Sequence, residues 1–461
     1  MVFASLSFVF ILLPIFLGMD YAARLTQKTN LRNVALLVAS LLFYVWGEVA
    51  NVFLLLGLAF INYYAGHYIY KSNKPRLALG GFVFLNLGIL IGFKYAYWFI
   101  SLVLPSLAVG KAPSLPLGIS FFTFHAISYL VDIYRRQINP AKTSLDFLTY
   151  FCMFPHLVAG PIVRFAQVNK DLEARGPDKD LFSFGVYRFL VGFNKKIIIA
   201  NSVAIIADYT FSMSSIGKLA FFDAWIGITA YAIQIYFDFS GYSDMAIGLA
   251  AMAGFRFDEN FRRPYSSTNI RDFWRRWHIS LSSWLRDYLY IPLGGSKGSK
   301  LGTYKNLLLV FFLCGLWHGA DFTFVLWGLW HGAFLILERL PPGRVIERLP
   351  LVIARLYTVV VVLIGWVFFR AANYTAACQY LSDLFTFSLA PVSVLYYTVS
   401  IYVLLAGVLL CMVPDRWLPI PESRNPASFS VLSYCLQAAL AMVAVTMLLT
   451  SSRNPFIYYN F

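Results

Sequence analysis

Six histidines in a chain of 461 residues, 59% of them hydrophobic and 13% charged, are the first place to look for chemistry. They are His67, His125, His156, His278, His318 and His331. An imidazole can take up or release a proton near neutral pH, and an ionisable group among apolar residues tends to face a cavity or a partner. Two of the six stand in a repeated triplet, Trp317-His318-Gly319 and Trp330-His331-Gly332, thirteen residues apart. On one unbroken helix thirteen steps rotate by about 220°, so the rings would point to nearly opposite sides and would not share a metal. A break near residues 319–321 is expected instead, ending one short span at His318 and setting His331 in the middle of the next. His318 then shares a face with Phe311, Cys314 and Gly315, and His331 with Phe324, Trp327 and Leu335. Each histidine fits either a neutral general base or a hydrogen-bonded member of the packing.

The segment 255–305 holds ten basic residues, Arg256, Arg262, Arg263, Arg271, Arg275, Arg276, Arg286, Lys297, Lys300 and Lys305, against Asp258, Glu259, Asp272 and Asp287. Within it, NIRDFWRRWHISLSSWLRDYLYIPLGG is predicted to form an amphipathic helix with Trp274, His278, Leu281 and Leu285 on its apolar face. Arg271, Arg275, Ser282 and Arg286 form a second stripe that suits phosphates of a lipid or of a nucleotide-bearing donor. An interfacial helix with snorkelling arginines and a packed His278 is the other reading of the same pattern.

Further polar insertions are FDFSGYSDMAIGLA, with Asp238 and Asp244, and FPHLVAGPIVRF, with His156 and Arg164; both are expected to serve helix packing. The two aspartates also fit an ion path in a transporter. Ser240 stands in Phe-Ser-Gly, not in a nucleophile elbow. The five cysteines, Cys152, Cys314, Cys378, Cys411 and Cys435, lack metal-ligand spacing and are expected to be buried thiols, and no metal is implied.

The elements that position these residues must be membrane helices. Near-continuous apolar runs such as 34–46 and 431–449 exclude an ordinary soluble domain and disfavour a transmembrane β-barrel, whose strands alternate. Runs are found at about 4–22, 34–47, 50–69, 78–101, 147–162, 184–209, 222–253, 304–317, 321–338, 351–369, 393–413 and 430–450, which gives ten to twelve spans. The segment 115–134, with Pro116 and Gly118 at its start, is expected to be partly re-entrant. One polytopic domain over 1–461 is the simplest division. The net charge of +15 lies in loops and fits cytoplasmic loops facing anionic headgroups, with an anionic substrate as the second reading and nucleic acid as the weaker one. Arg24, Lys28 and Arg32 follow the first apolar run, so an uncleaved first helix with its N-terminus outside is expected.

The motifs RDFWRRWHISLSSWLRDYLYIPLGG, GLWHGADFTFVLWGLWHG, YFDFSGYSDMAIGLA and FPHLVAGPIVRF together resemble the membrane-bound O-acyltransferase family. The likeness is to its bacterial branch of alginate- and cellulose-type polysaccharide acetylation, and it covers a core of about 1–340 with less distinctive helices over 341–461. The resemblance implies an all-α integral membrane protein with re-entrant helices around a central funnel or tunnel, in the bacterial inner membrane. It implies transfer of an acetyl or other acyl group from a cytoplasmic thioester donor to a hydroxyl acceptor. The donor is acetyl-CoA or an acyl carrier protein, and no tightly bound cofactor is implied. The essential histidine role falls on His318 and the upstream role, orienting the donor or stabilising the oxyanion, on His278. His331, Trp274, Trp317, Arg275, Arg276, Arg286 and Asp238 are tunnel-lining or donor-binding candidates. Implied partners are the lipid bilayer, a periplasmic or extracellular acetyltransferase that completes polymer acetylation, and the polysaccharide biosynthesis complex. D-alanyl or peptidoglycan O-acyl transfer is the neighbouring enzyme reading. A transporter or a secretion-complex scaffold is the non-enzyme one.

Overall fold

A backbone crossing hydrocarbon must satisfy its own hydrogen bonds, and the apolar runs do so as helices. The computed structural model describes residues 3–104, 114–388, 392–413, 430–450, 454 and 457, and no strand occurs among them. The chain is an all-α, multi-pass membrane protein. Its first helices are α1 (Leu13–Leu25, after a π-turn Phe8–Leu12), α2 (Thr29–Gly47), α3 (Asn51–Lys71) and α4 (Pro75–Val103). Then come α5 (Ile119–Tyr134), α6 (Ser144–Cys152), α7 (Phe154–Leu157), α8 (Phe165–Glu173), α9 (Lys179–Asn194), α10 (Asn201–Ser215) and α11 (Phe221–Met252). The histidine-bearing region is built from α12 (Ile270–Arg276), α13 (Ile279–Leu285), α14 (Lys300–His318) and α15 (Phe322–Leu337). It is closed by α16 (Pro341–Ile346), α17 (Leu351–Arg370), α18 (Tyr374–Phe385), α19 (Thr398–Met412) and α20 (Val431–Thr450).

Among the described residues, seven helical stretches are long and apolar enough to cross a bilayer: Phe8–Leu25, α2, α3, α4, Lys179–Ser215, α17 and α20. The shorter apolar helices α5, α15 and α19 add three. The run 147–162 is not a span, because its helix stops at Cys152 and restarts at Phe154 for four residues. Pro155, Gly160 and Pro161 then keep the chain irregular, with Gly160 at φ +110°. Cys152, Cys314 and Cys411 are buried as expected, but Cys378 and Cys435 are exposed. The latter two sit on outward faces of α18 and α20.

Two helix pairs carry the architecture. Gly185 and Gly192 of α9 oppose Gly248 and Gly241 of α11 so closely that a Cβ on Gly192 would stand 2.6 Å from the Met245 nitrogen. Small residues permit this approach, which dispersion then rewards. Charges lock the same pair: Arg188 bridges Asp244 at 2.6 Å and Glu259 at 2.5 Å, Lys195 meets Asp244 at 2.7 Å, and Lys196 meets Asp238 at 2.6 Å. The second pair is α14 with α15, where Gly328 lies against Gly315.

Candidate active site

The last residue of α14 is His318, and the chain breaks at Gly319 before Asp321 caps α15 through the Thr323 N–H at 2.9 Å. A helix C-terminus leaves carbonyls without intrahelical donors. Here α4 supplies them: the Lys94 ammonium donates to the Trp317 carbonyl, and the Tyr95 hydroxyl donates to the Leu316 carbonyl at 2.5 Å. Sequence reasoning missed both residues. The available signal was a lysine standing alone in the apolar run 78–101.

The amphipathic segment is not one helix. Trp277 and His278 separate α12 from α13, His278 takes the left-handed conformation (φ 44°, ψ 56°), and a π-turn over Arg286–Tyr290 follows. Such a backbone is uncommon for a residue with a side chain and persists only where its surroundings hold it. The hold comes from Asn260, whose carbonyl accepts the Ile279 N–H at 2.9 Å and whose Oδ1 lies 3.1 Å from His278 Nδ1. Despite the break, Trp274, His278, Leu281 and Leu285 all remain buried.

These elements bring His278, Trp317 and His318 together. The Trp317 ring lies 6.4 Å from the His278 ring and 4.8 Å from that of His318. Phe124 of α5 stacks between Trp317, at 5.3 Å, and Trp284, at 3.9 Å. Trp327 and Phe369 enclose His318 at 4.9 and 5.1 Å, and Phe239 meets His278 edge-on at 4.7 Å. His278 and His318 are 1% and 3% exposed.

His331 lies on the other side of Trp327, 5.3 Å from it, walled by Trp274 at 5.2 Å and stacked with Phe273 at 6.2 Å. A Cβ on Gly365 would stand 2.8 Å from His331 Nε2, which fills the remaining side. Trp274 packs on Phe311 and Trp327. Asp238 sits in its ion pair with Lys196 and also receives the Ile457 N–H at 2.8 Å. His125 and His156 form a separate pair with rings 4.4 Å apart, His156 donating from Nε2 to the Tyr150 carbonyl at 2.7 Å. Among the described residues no group of three or more His, Cys, Asp or Glu is placed to hold a metal.

Next to His278 opens a cavity of about 520 Å³, lined by Arg164, Arg256, Arg262, Arg275 and Arg286, with Asp258, Glu259 and Asp287, and floored by Ile279, Ser280 and Ser283. Its wall includes Pro161–Arg164, so FPHLVAGPIVRF borders the cavity as well as packing helices. Ser280 Oγ accepts the Ile162 N–H at 2.9 Å and fixes that wall to the His278 segment. Burial works against the charge of Asp287, but hydrogen bonds from Arg286 and Arg164 outweigh it and hold the carboxyl below its ordinary range. Arg276 pairs with Asp272 at 3.0 Å and lines a second cavity with Arg263 and Arg355. Arg271 borders neither. A basic, partly neutralised cavity beside the His278 segment can hold an anionic carrier, and the aromatic enclosure around the two buried imidazoles can keep water from a reacting group.

Comparison with known proteins places the chain in a family. The family model described as MBOAT, membrane-bound O-acyltransferase family, matches residues 2–345. A protein of Pseudomonas syringae pv. tomato named "Probable alginate O-acetylase AlgI" is 44% identical over 84% of this chain and 76% of its own length. A protein of the same name from Pseudomonas putida is 38% identical over the full length of both. A peptidoglycan O-acetyltransferase of Helicobacter pylori is 32% identical over 98% of this chain and 96% of its own.

Proposed function

The chain belongs to the membrane-bound O-acyltransferase family and is an O-acyltransferase, and from that premise we propose that it moves an acetyl group from a cytoplasmic thioester through the bacterial inner membrane to a hydroxyl acceptor for acetylation of an alginate-type exopolysaccharide. The observation that carries the reading is the sequence of environments: an arginine-lined cavity, then His278, then the Trp317 ring, then His318. In α14, His318 stands thirteen residues after Lys305, a rise of about 20 Å along the helix axis from the basic segment. Arg275 and Arg286 meet the phosphates of acetyl-CoA or the acidic face of a carrier protein, and the thioester arm reaches past Ser280.

There His318 takes the proton of the acceptor hydroxyl as its oxygen attacks the thioester carbonyl. A carbon–oxygen bond forms, the carbon–sulfur bond breaks, and the imidazolium returns the proton to the departing sulfur. General base catalysis of this kind contributes about 10²- to 10⁴-fold, with positioning and water exclusion adding to it. The acceptor passes the acetyl group to polymer through a partner acetyltransferase on the outer side. The core over about 1–340 forms the enzyme and the later helices support it. The full-length likeness to a peptidoglycan O-acetyltransferase favours peptidoglycan as the second polymer to test.

The test is consumption of acetyl thioester by purified protein in nanodiscs, comparing wild type with His318→Ala, His278→Ala and His331→Ala after each is shown to be folded. Turnover should fall about 10²- to 10⁴-fold in His318→Ala and little in His331→Ala. Undiminished turnover in His318→Ala would end its role as the base.

A further inference from the structure

Asn260 is fully buried in the loop between α11 and α12. Its side-chain amide can be oriented by its neighbours. Oδ1 stands 3.2 Å from the backbone nitrogen of Ser280 and 2.9 Å from Ser280 Oγ, while Nδ2 stands 3.1 Å from Ser243 Oγ. A backbone N–H can only donate, so the atom facing it must be the carbonyl oxygen; the flipped amide would set donor against donor. That same oxygen faces His278 Nδ1 at 3.1 Å. Nδ1 therefore carries the proton of the neutral ring, and Nε2 carries a lone pair. Nε2 is buried and has no hydrogen-bond partner among the described residues. Polar atoms are rarely left so without a purpose.

We propose that Asn260 is a positioning residue that stores the His278 proton on Nδ1, so that Nε2 meets the substrate as a hydrogen-bond acceptor. This rests on the acyl-transfer reading and deepens it, because it separates the two roles the upstream histidine was given. An oxyanion needs a donor, which the lone pair is not. The acceptor hydroxyl has one proton and gives it to His318, so the atom that Nε2 meets is an amide N–H of the thioester arm, whose cavity is bordered by Ile279 and Ser280. The Ile279 N–H to Asn260 carbonyl bond fixes the backbone just after His278, so one residue sets both the placement and the tautomer of this ring.

The experiment is nitrogen-15 NMR of histidine-labelled full-length protein in nanodiscs, with the His278 signals identified by their absence in His278→Gln. Wild type should show the Nδ1–H tautomer without substrate. Asn260→Leu should show mixed tautomers and lose about 10²- to 10⁴-fold in turnover, the upper figure being the cost when a catalytic histidine loses the partner that fixes its tautomer. Asn260→Asp, which keeps an acceptor, should restore the tautomer and most of the rate, a rescue that a purely structural role would not give. A rise in donor KM in folded Asn260→Leu is expected from the lost contact to the arm amide, and an unchanged donor KM would overturn that contact. An Nε2–H tautomer in wild type overturns the proposal even if Asn260→Leu fails to fold. So do an unchanged tautomer and rate in a folded Asn260→Leu. The tautomer is read without chemistry, so its assignment stands apart from the acyl-transfer reading, which fails instead if His278→Ala and His318→Ala both turn over thioester as wild type does.

Discussion

Between α9 and α11, buried charge is answered by buried charge: Arg188 and Lys195 meet Asp244 and Glu259, and Lys196 meets Asp238. Around Trp317 and Trp327 the fully buried titratable groups are imidazoles, with the half-buried Lys94 ammonium bonded to the Trp317 carbonyl, and the ring nitrogens of His331 and the Nε2 of His278 have no partner among the described residues. Both regions place ionisable residues in an apolar interior, and the difference is one of bookkeeping by charge state. An ion at membrane depth must be cancelled where it stands, and once cancelled it is committed to holding helices together. A neutral imidazole can be left open at far lower cost, which keeps a lone pair or a proton available for chemistry. Glu259 touches both worlds, bonding Arg188 on one side and lining the basic cavity on the other.

The contrast breaks most severely at Arg188. Replacement by alanine removes the ion partner of Glu259 and leaves Asp244 to Lys195 alone, both carboxylates being largely buried, and should cost about 3–5 kcal/mol; thermal denaturation in detergent measures it. His318→Ala should do the opposite, leaving the melting temperature within a few degrees of wild type while turnover collapses. A stability loss at His318 as large as at Arg188 would erase the distinction between the two regions. Next in size, Gly192→Ala forces a methyl to 2.6 Å from the Met245 nitrogen and should cost about 1–3 kcal/mol in stability, with specific activity of the folded fraction unchanged. Arg275→Ala should raise the donor KM several-fold, with the effect shrinking as salt rises. The smallest effect concerns pH. Because Asp287 is held below its ordinary range, its tie to Arg164 is fully present above about pH 4 and is lost only as pH falls through the lower folded-state value. The pH profile of donor binding between 5 and 8 should therefore be the same in Asp287→Asn as in wild type.

Much of the site could be read in the residues. The thirteen-residue spacing of the two Trp-His-Gly triplets demanded a break, and the chain breaks at Gly319. The basic segment was visible as composition, and Arg275 and Arg286 do line the cavity. What sequence periodicity could not supply were the long-range ties. His278 leaves the helical pattern where Asn260, eighteen residues earlier, holds the backbone after it, and although histidine tolerates the left-handed region better than most side chains, nothing in the local sequence demands it there. Lys94 became legible only when α4 was found against the end of α14. Asp238 and Asp244 looked the same in the sequence as an ion path would, and their commitment to Lys196, Lys195 and Arg188 depends on how α9 meets α11. The thiols of Cys378 and Cys435 were misjudged for a related reason, since lipid-facing and core-facing residues share one composition.

The charge cancellation between α9 and α11 has a further consequence in any membrane that carries a voltage. A transmembrane voltage does work on net charge, about 2.3 kcal/mol per elementary charge for each 100 mV. Arg188 and Lys195 contribute two positive charges and Asp244 and Glu259 two negative ones, held within ion-pair distance of one another and so at nearly one depth. The voltage finds no lever there: it pulls equally in both directions, and the scaffold beneath the imidazoles keeps its shape whether the cell is charged or depleted.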